Sequence, residues 1–84
     1  MGLGVKRDTV FQCLRAKRIR FAMTNSKEHL VEIVGPDGEM SVEYIPPELG
    51  RREPQRLADK FKIPIQWFYS PLLIPDPNAN GKPN

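Results

Sequence analysis

His29 is the only histidine in this sequence and the only side chain that changes charge near neutral pH without help from its surroundings. Beside the chain's thirteen lysines and arginines, it makes one chemistry reachable without a cofactor, the cleavage of RNA. There the substrate's own 2′-hydroxyl is the nucleophile, a side chain relays the proton and cations hold the phosphate. His29 follows the polar stretch Thr24-Asn25-Ser26-Lys27, so it opens a strand, with its ring free to lie at a sheet edge and Lys27 two residues away. A strand-edge histidine without a catalytic task has the same signature, and His29 alone decides nothing.

Arg52, Arg56 and Lys60 recur at i, i+4 and i+8, in line along one side of a helix. Like charges at that spacing repel by about 0.2–0.5 kcal/mol per pair. An anion lying along the line would offset the repulsion; Glu53 and Asp59 can instead neutralise it locally. Arg51 precedes the helix and would bring a guanidinium to its N-terminal end, a natural place for phosphate. The wider distribution of charge agrees. Residues 1–20 carry six basic and one acidic side chain, residues 21–50 one and six, and residues 51–62 five and two, within a net charge of +3. The first and third segments can therefore build a basic face, with Arg15 and Arg18 joining Arg51, Arg52, Arg56 and Lys60 as candidate contacts to nucleic acid.

Several chemistries are excluded. One cysteine, Cys13, cannot form an intrachain disulfide, and one cysteine with one histidine cannot build a Cys/His zinc site. Cys13 reads as a small buried hydrophobe. There is no glycine-rich phosphate loop and no Ser/His/Asp order, so neither metal nor cofactor is expected. No apolar run approaches the roughly 18 residues of a membrane span, and no apolar stretch follows Lys6-Arg7 as in a secretory signal. The expectation is a soluble cytoplasmic protein with no membrane partner.

These residues must be positioned by a chain of 84 residues, enough for one small domain. Asp8 can cap a helix over about 8–17 whose Val10, Cys13 and Leu14 form one apolar stripe. The period then changes to two: Ile19, Phe21 and Met23 alternate with Arg18, Arg20 and Ala22. A second strand runs His29–Val34 and a third Met40–Ile45, joined by the turn Gly35-Pro36-Asp37-Gly38. Pro46-Pro47 stops the sheet. Pro54 opens a second helix over about 54–62, with Leu57, Ala58 and Phe61 inward and Pro64 ending it. Residues 63–69 alternate again and read as a strand or an extended segment, and residues 75–84 as a low-complexity tail. The expected fold is two-layer α+β in the order α-β-β-β-α, a three-stranded antiparallel sheet with both helices side by side on one face, plus a C-terminal extended segment. The domain spans 5–69 and the tail 70–84. Trp67, Tyr69, Leu72 and Leu73 form an apolar group suited to a protein partner or a second copy of the chain. Stacking of bases on the Trp67-Phe68-Tyr69 run is the weaker reading of those residues.

Over about residues 8–63 the pattern resembles the HicA toxins, RNA-cleaving members of toxin–antitoxin pairs whose fold is similar to that of double-stranded-RNA-binding domains. The matching residues are His29 at the start of strand two, Pro36-Asp37-Gly38 in the hairpin, Ile45-Pro46 ending strand three, and Leu57 and Phe61 in the last helix. Where the family usually has Gly-Ser-His ahead of strand two, this chain has Ser26-Lys27-Glu28-His29. The resemblance implies a metal-independent endoribonuclease with His29 as general acid–base group, phosphate held by Lys27 and Arg52 or Arg56, and a small antitoxin-like protein as partner. Two other readings stand beside it: a non-catalytic RNA-binding module, and a protein–protein adaptor using the aromatic C-terminal segment.

Overall fold

The computed structural model describes residues 4–76. α1 (Arg7–Ala16) buries Val10, Cys13 and Leu14. Asp8 does not cap it. The N-cap is Lys6, with no side-chain cap bond, and Asp8 lies in the first turn near the positive end of the helix. The start of α1 is held instead from across the fold: the Arg7 N–H donates to the Pro47 carbonyl (2.9 Å), and the Leu49 N–H to that of Val5 (2.8 Å). At its other end the Ile19 N–H closes on the Leu14 carbonyl (2.8 Å), with Arg18 in the left-handed conformation (φ 60°). Arg18 therefore ends the helix, and β1 (Arg20–Asn25) starts two residues later than the alternation predicts.

β1, β2 (Leu30–Val34) and β3 (Met40–Tyr44) form an antiparallel sheet in chain order. Between β2 and β3 the Gly38 N–H donates to the Gly35 carbonyl (2.9 Å), with Pro36 presetting φ and Gly38 itself at φ 89°. Asp37 Oδ1 accepts from the Glu39 N–H (3.1 Å). The register fixes which residues share a face. Phe21 is opposite Ile33 and Ile33 opposite Ser41; Met23 is opposite Val31 and Val31 opposite Glu43. This face carries the core. On the other face one row is Arg20, Val34 and Met40, the next Ala22, Glu32 and Val42, and the last includes Leu30 and Tyr44.

α2 (Glu53–Phe61) starts with Pro54 in its first turn, and Glu53 Oε1 reaches back to accept the Gly50 N–H (2.8 Å). It ends on Lys62 in the left-handed conformation (φ 57°), with the Ile63 N–H bonded to the Ala58 carbonyl (2.9 Å). Leu57, Ala58 and Phe61 join Val10, Cys13 and Leu14 of α1 and Val31 and Ile33 of β2 in one core. Both helices thus cover the same sheet face, as expected of a two-layer α+β fold.

The segment after Pro64 is neither strand nor extended. Ile65–Tyr69 form α3, a short helix packed against both α1 and α2, and Pro71–Leu73 add a 3₁₀ turn. Phe68 is buried and Ile65, three residues earlier, packs against the core. The low-complexity tail lies, from residue 77 onward, outside the described residues. Among the described residues no helix is long and apolar enough to cross a membrane.

Burial pushes the Cys13 thiol up to about 12, and its side chain lies in the core. The expected outcome with a thiol-specific reagent at pH 8 is almost no reaction in the native protein and one equivalent on unfolding in guanidinium. Rapid native labelling would show that α1 does not pack as described.

Candidate nucleic-acid interface

Glu43 is 5 % exposed, the one charged side chain among the buried residues described. It points from β3 toward α2. Its Oε1 accepts from Arg56 Nη1 (2.8 Å), its Oε2 from Lys60 Nζ (2.5 Å), and the Ser41 hydroxyl donates to Oε2 (3.3 Å). Burial raises the pKa of the carboxyl, but the hydrogen bonds and charges of Lys60 and Arg56 outweigh it and hold the group below the ordinary range. Arg56 and Lys60 are nearly half exposed, so each still has donors facing solvent. Two of the three cations in the Arg52–Arg56–Lys60 line are thus bound to one carboxylate beneath the helix, and the charge they offer outward is smaller than the spacing implies.

A wide groove lies elsewhere, at the shared end of the two helices. Lys17, Arg18, Ile19 and Arg20 from the end of α1, Val34, Gly35 and Pro36 from the hairpin, and Phe61 and Lys62 from the end of α2 line a groove of about 560 Å³. Four of these residues are cations and none is a carboxylate. Ile19 and Phe61 belong to the core and supply an apolar floor. A neighbouring depression of about 440 Å³ shares Gly35, Pro36, Phe61 and Lys62 but adds Asp37 and Glu39 beside Ser41 and Lys60, so it is mixed in sign. The two helices therefore bring positive charge together at their ends. On the outer faces the cations stay exposed, but two on α2 are tied to Glu43 and Arg15 lies over the Phe21 ring (5.4 Å to its centroid).

His29 closes the β1–β2 turn, in which Asn25 Oδ1 accepts the Glu28 N–H (3.1 Å). Its backbone is left-handed (φ 57°) and its carbonyl accepts from the Ile45 N–H (2.8 Å). The ring is half-buried, edge-on to Tyr44 at 6.1 Å, and its Nδ1 is shielded from solvent with no hydrogen-bond partner among the described residues. No hydrogen bond or ion pair among the described residues joins His29 to Lys27, Arg51, Arg52, Arg56 or Lys60. Val34 at the groove lies five residues further along the chain, roughly 16 Å when extended. The histidine and the strongest cation cluster sit at opposite ends of β2.

The remaining residues divide simply. Lys27 is exposed in the β1–β2 turn, and Arg51 and Arg52 are exposed before α2. Trp67 is half-buried against the core, whereas Tyr69 and Leu73 are more than half exposed and Leu72 wholly so. Sequence reasoning named Arg18 but missed Lys17, Arg20 and Lys62 as its companions. The available signal was that both amphipathic stripes end on basic residues, Lys17-Arg18 and Lys62, which the fold brings to one groove. It missed Glu43 entirely. Among the described residues no three His, Cys, Asp or Glu side chains gather as metal ligands would.

Compared with protein-family models, curated proteins and solved structures, the chain has no significant match.

The Glu43 cluster gives a stability prediction. Glu43→Gln should lower the unfolding free energy by about 1.5–3 kcal/mol, the usual worth of hydrogen bonds to a charged group. Because the folded-state pKa is depressed, this stabilisation is full above the unfolded carboxyl value of about 4.3 and is lost as pH falls through the folded value. Urea unfolding at pH 7 and pH 3 should show a gap between wild type and variant that narrows in acid; an unchanged gap would remove the carboxylate from the account.

Proposed function

We propose that this chain is a small RNA-binding module that grips the phosphate backbone in the groove between the C-terminal ends of α1 and α2. The observation that carries the reading is the lining of that groove, with Lys17, Arg18, Arg20 and Lys62 and no carboxylate. Helix C-termini oppose an anion, each with a partial charge of roughly −0.5. Four full positive charges exceed that, and the closing bonds to the Leu14 and Ala58 carbonyls occupy groups that would otherwise face the ligand. The backbone supports the same view. Arg18 and Lys62 sit in the left-handed region, where glycine is the favoured residue. A cation is kept at each position at a cost of about 1 kcal/mol, which favours a role beyond folding. RNA is preferred to DNA because the order α-β-β-β-α resembles that of double-stranded-RNA-binding domains, which recognise A-form shape, 2′-hydroxyls and phosphates with little sequence choice.

A second reading adds cleavage at His29, as in the HicA toxins, with a small antitoxin-like protein as partner. It is favoured by the left-handed backbone and partnerless Nδ1 of His29. In that reading Lys27 and Arg52 or Arg56 hold the scissile phosphate, and the groove only anchors the strand.

Binding to an RNA duplex should weaken with salt at a log–log slope of about −3.6, as four phosphate contacts require. Lys62→Gly should flatten the slope by about 1 while raising stability by no more than about 0.6 kcal/mol, the strain relieved less the added chain entropy of glycine. Titrations at several salt concentrations, with thermal melts alongside, check both. Binding unaffected by Lys62→Gly and Arg20→Glu would overturn the groove reading. Cleavage of RNA in EDTA by the wild type but not by His29→Ala would establish the second reading; no cleavage by either would leave a binding module alone.

A further inference from the structure

β3 is inverted with respect to the core. Its apolar residues Met40, Val42 and Tyr44 face away from the helices and are 60 %, 55 % and 51 % exposed, while its inward residues are Ser41 and Glu43. Core formation does not account for three large apolar side chains on that side. With Leu30 and Val34 beside them, they make an apolar sheet face that no described element covers. Glu32 stands in the middle row between Ala22 and Val42, half-buried, and among the described residues no hydrogen bond or ion pair engages its carboxylate. A dimple of about 140 Å³ opens beside it, lined by Arg20, Phe21, Ala22, Glu32 and Val34.

We infer that this outer sheet face docks an amphipathic helix of a partner protein, one that presents a single lysine or arginine to Glu32 from the centre of an apolar stripe. The unpaired central carboxylate selects the occupant. A second copy of the chain seated about a two-fold axis here would bring Glu32 toward its own image, and like charges at the centre of an apolar interface disfavour that. Nucleic acid is disfavoured by the same charge. A cation amid apolar side chains satisfies Glu32 and covers Met40, Val42 and Tyr44 together. The size also agrees: three strands about 4.8 Å apart and five residues long offer a surface roughly 16 Å in length, which matches about three turns of helix. The site adjoins the cationic groove, with Arg20 and Val34 lining both, but its centre at Glu32 and Val42 lies outside that groove.

The test is selection from a displayed library of helical peptides of about 15 residues against the intact protein, followed by binding to Glu32→Gln, Val42→Glu and Lys62→Glu variants. Val42→Thr, which keeps the β-branched shape, stands in should Val42→Glu not fold. The expected result is enriched peptides with one Lys or Arg centred in an apolar stripe. Their affinity should fall at least about ten-fold on Glu32→Gln and on Val42→Glu or Val42→Thr, and hold on Lys62→Glu. The inference is overturned by enriched peptides with no central cation, by equal binding to Glu32→Gln, by binding lost only with Lys62, or by no enrichment. Concentration-dependent dimerisation abolished by Val42→Glu would assign the face to a second copy and overturn it as well.

Discussion

The clamp of Arg56 and Lys60 on Glu43 sets the geometry on which the other features rest. A carboxylate beneath a helix loses hydration, and only well-placed partners recover that cost. Here the two cations stand one helical turn apart and each takes one oxygen. An apolar residue at position 43 could stabilise as much, but it would not fix the rotation of α2. With that rotation fixed, Leu57, Ala58 and Phe61 turn to the core, and Lys62 ends the helix at the hairpin beside Arg18 and Gly35.

The sheet separates three regions that the sequence interleaves. The helix-side end near the hairpin gathers cations. The opposite end of β2 holds His29 against Tyr44. The outer face carries apolar residues around Glu32. Residues adjacent in sequence are assigned to different regions by alternation alone: Glu43 points to α2 while Val42 and Tyr44 point away. The proposed binding of phosphate therefore depends on where helices end rather than on any short motif.

Much of this fold was legible in the sequence. The stripes Val10-Cys13-Leu14 and Leu57-Ala58-Phe61, the Gly-Pro-Asp-Gly turn and the stop at Pro46-Pro47 each report a local constraint, and all three strands and both long helices follow from them. The segment after Pro64 was not legible, because Ile63, Ile65, Trp67 and Tyr69 alternate while Ile65 and Phe68 also fit a helical turn; a run this short does not separate the two periods. The direction of β3 was equally hidden. Met40, Val42 and Tyr44 mark a face without saying which layer covers it, and Glu43 becomes an inward residue only when Arg56 and Lys60 lie above it. Of the candidate site, the basic segments could be read, but the groove could not, since Lys17, Arg20 and Lys62 meet only where the fold brings the ends of the two helices to the hairpin.

The central claim is that phosphate is held at the shared end of α1 and α2. Its most direct test is an amide and side-chain NMR titration of the labelled protein with a short RNA duplex. The account predicts shifts concentrated at Lys17, Arg18, Arg20, Gly35 and Lys62, with Glu32, Val42 and Tyr44 unmoved. Shifts confined to Lys27, His29, Arg51 and Arg52, or none at saturating RNA, would contradict it.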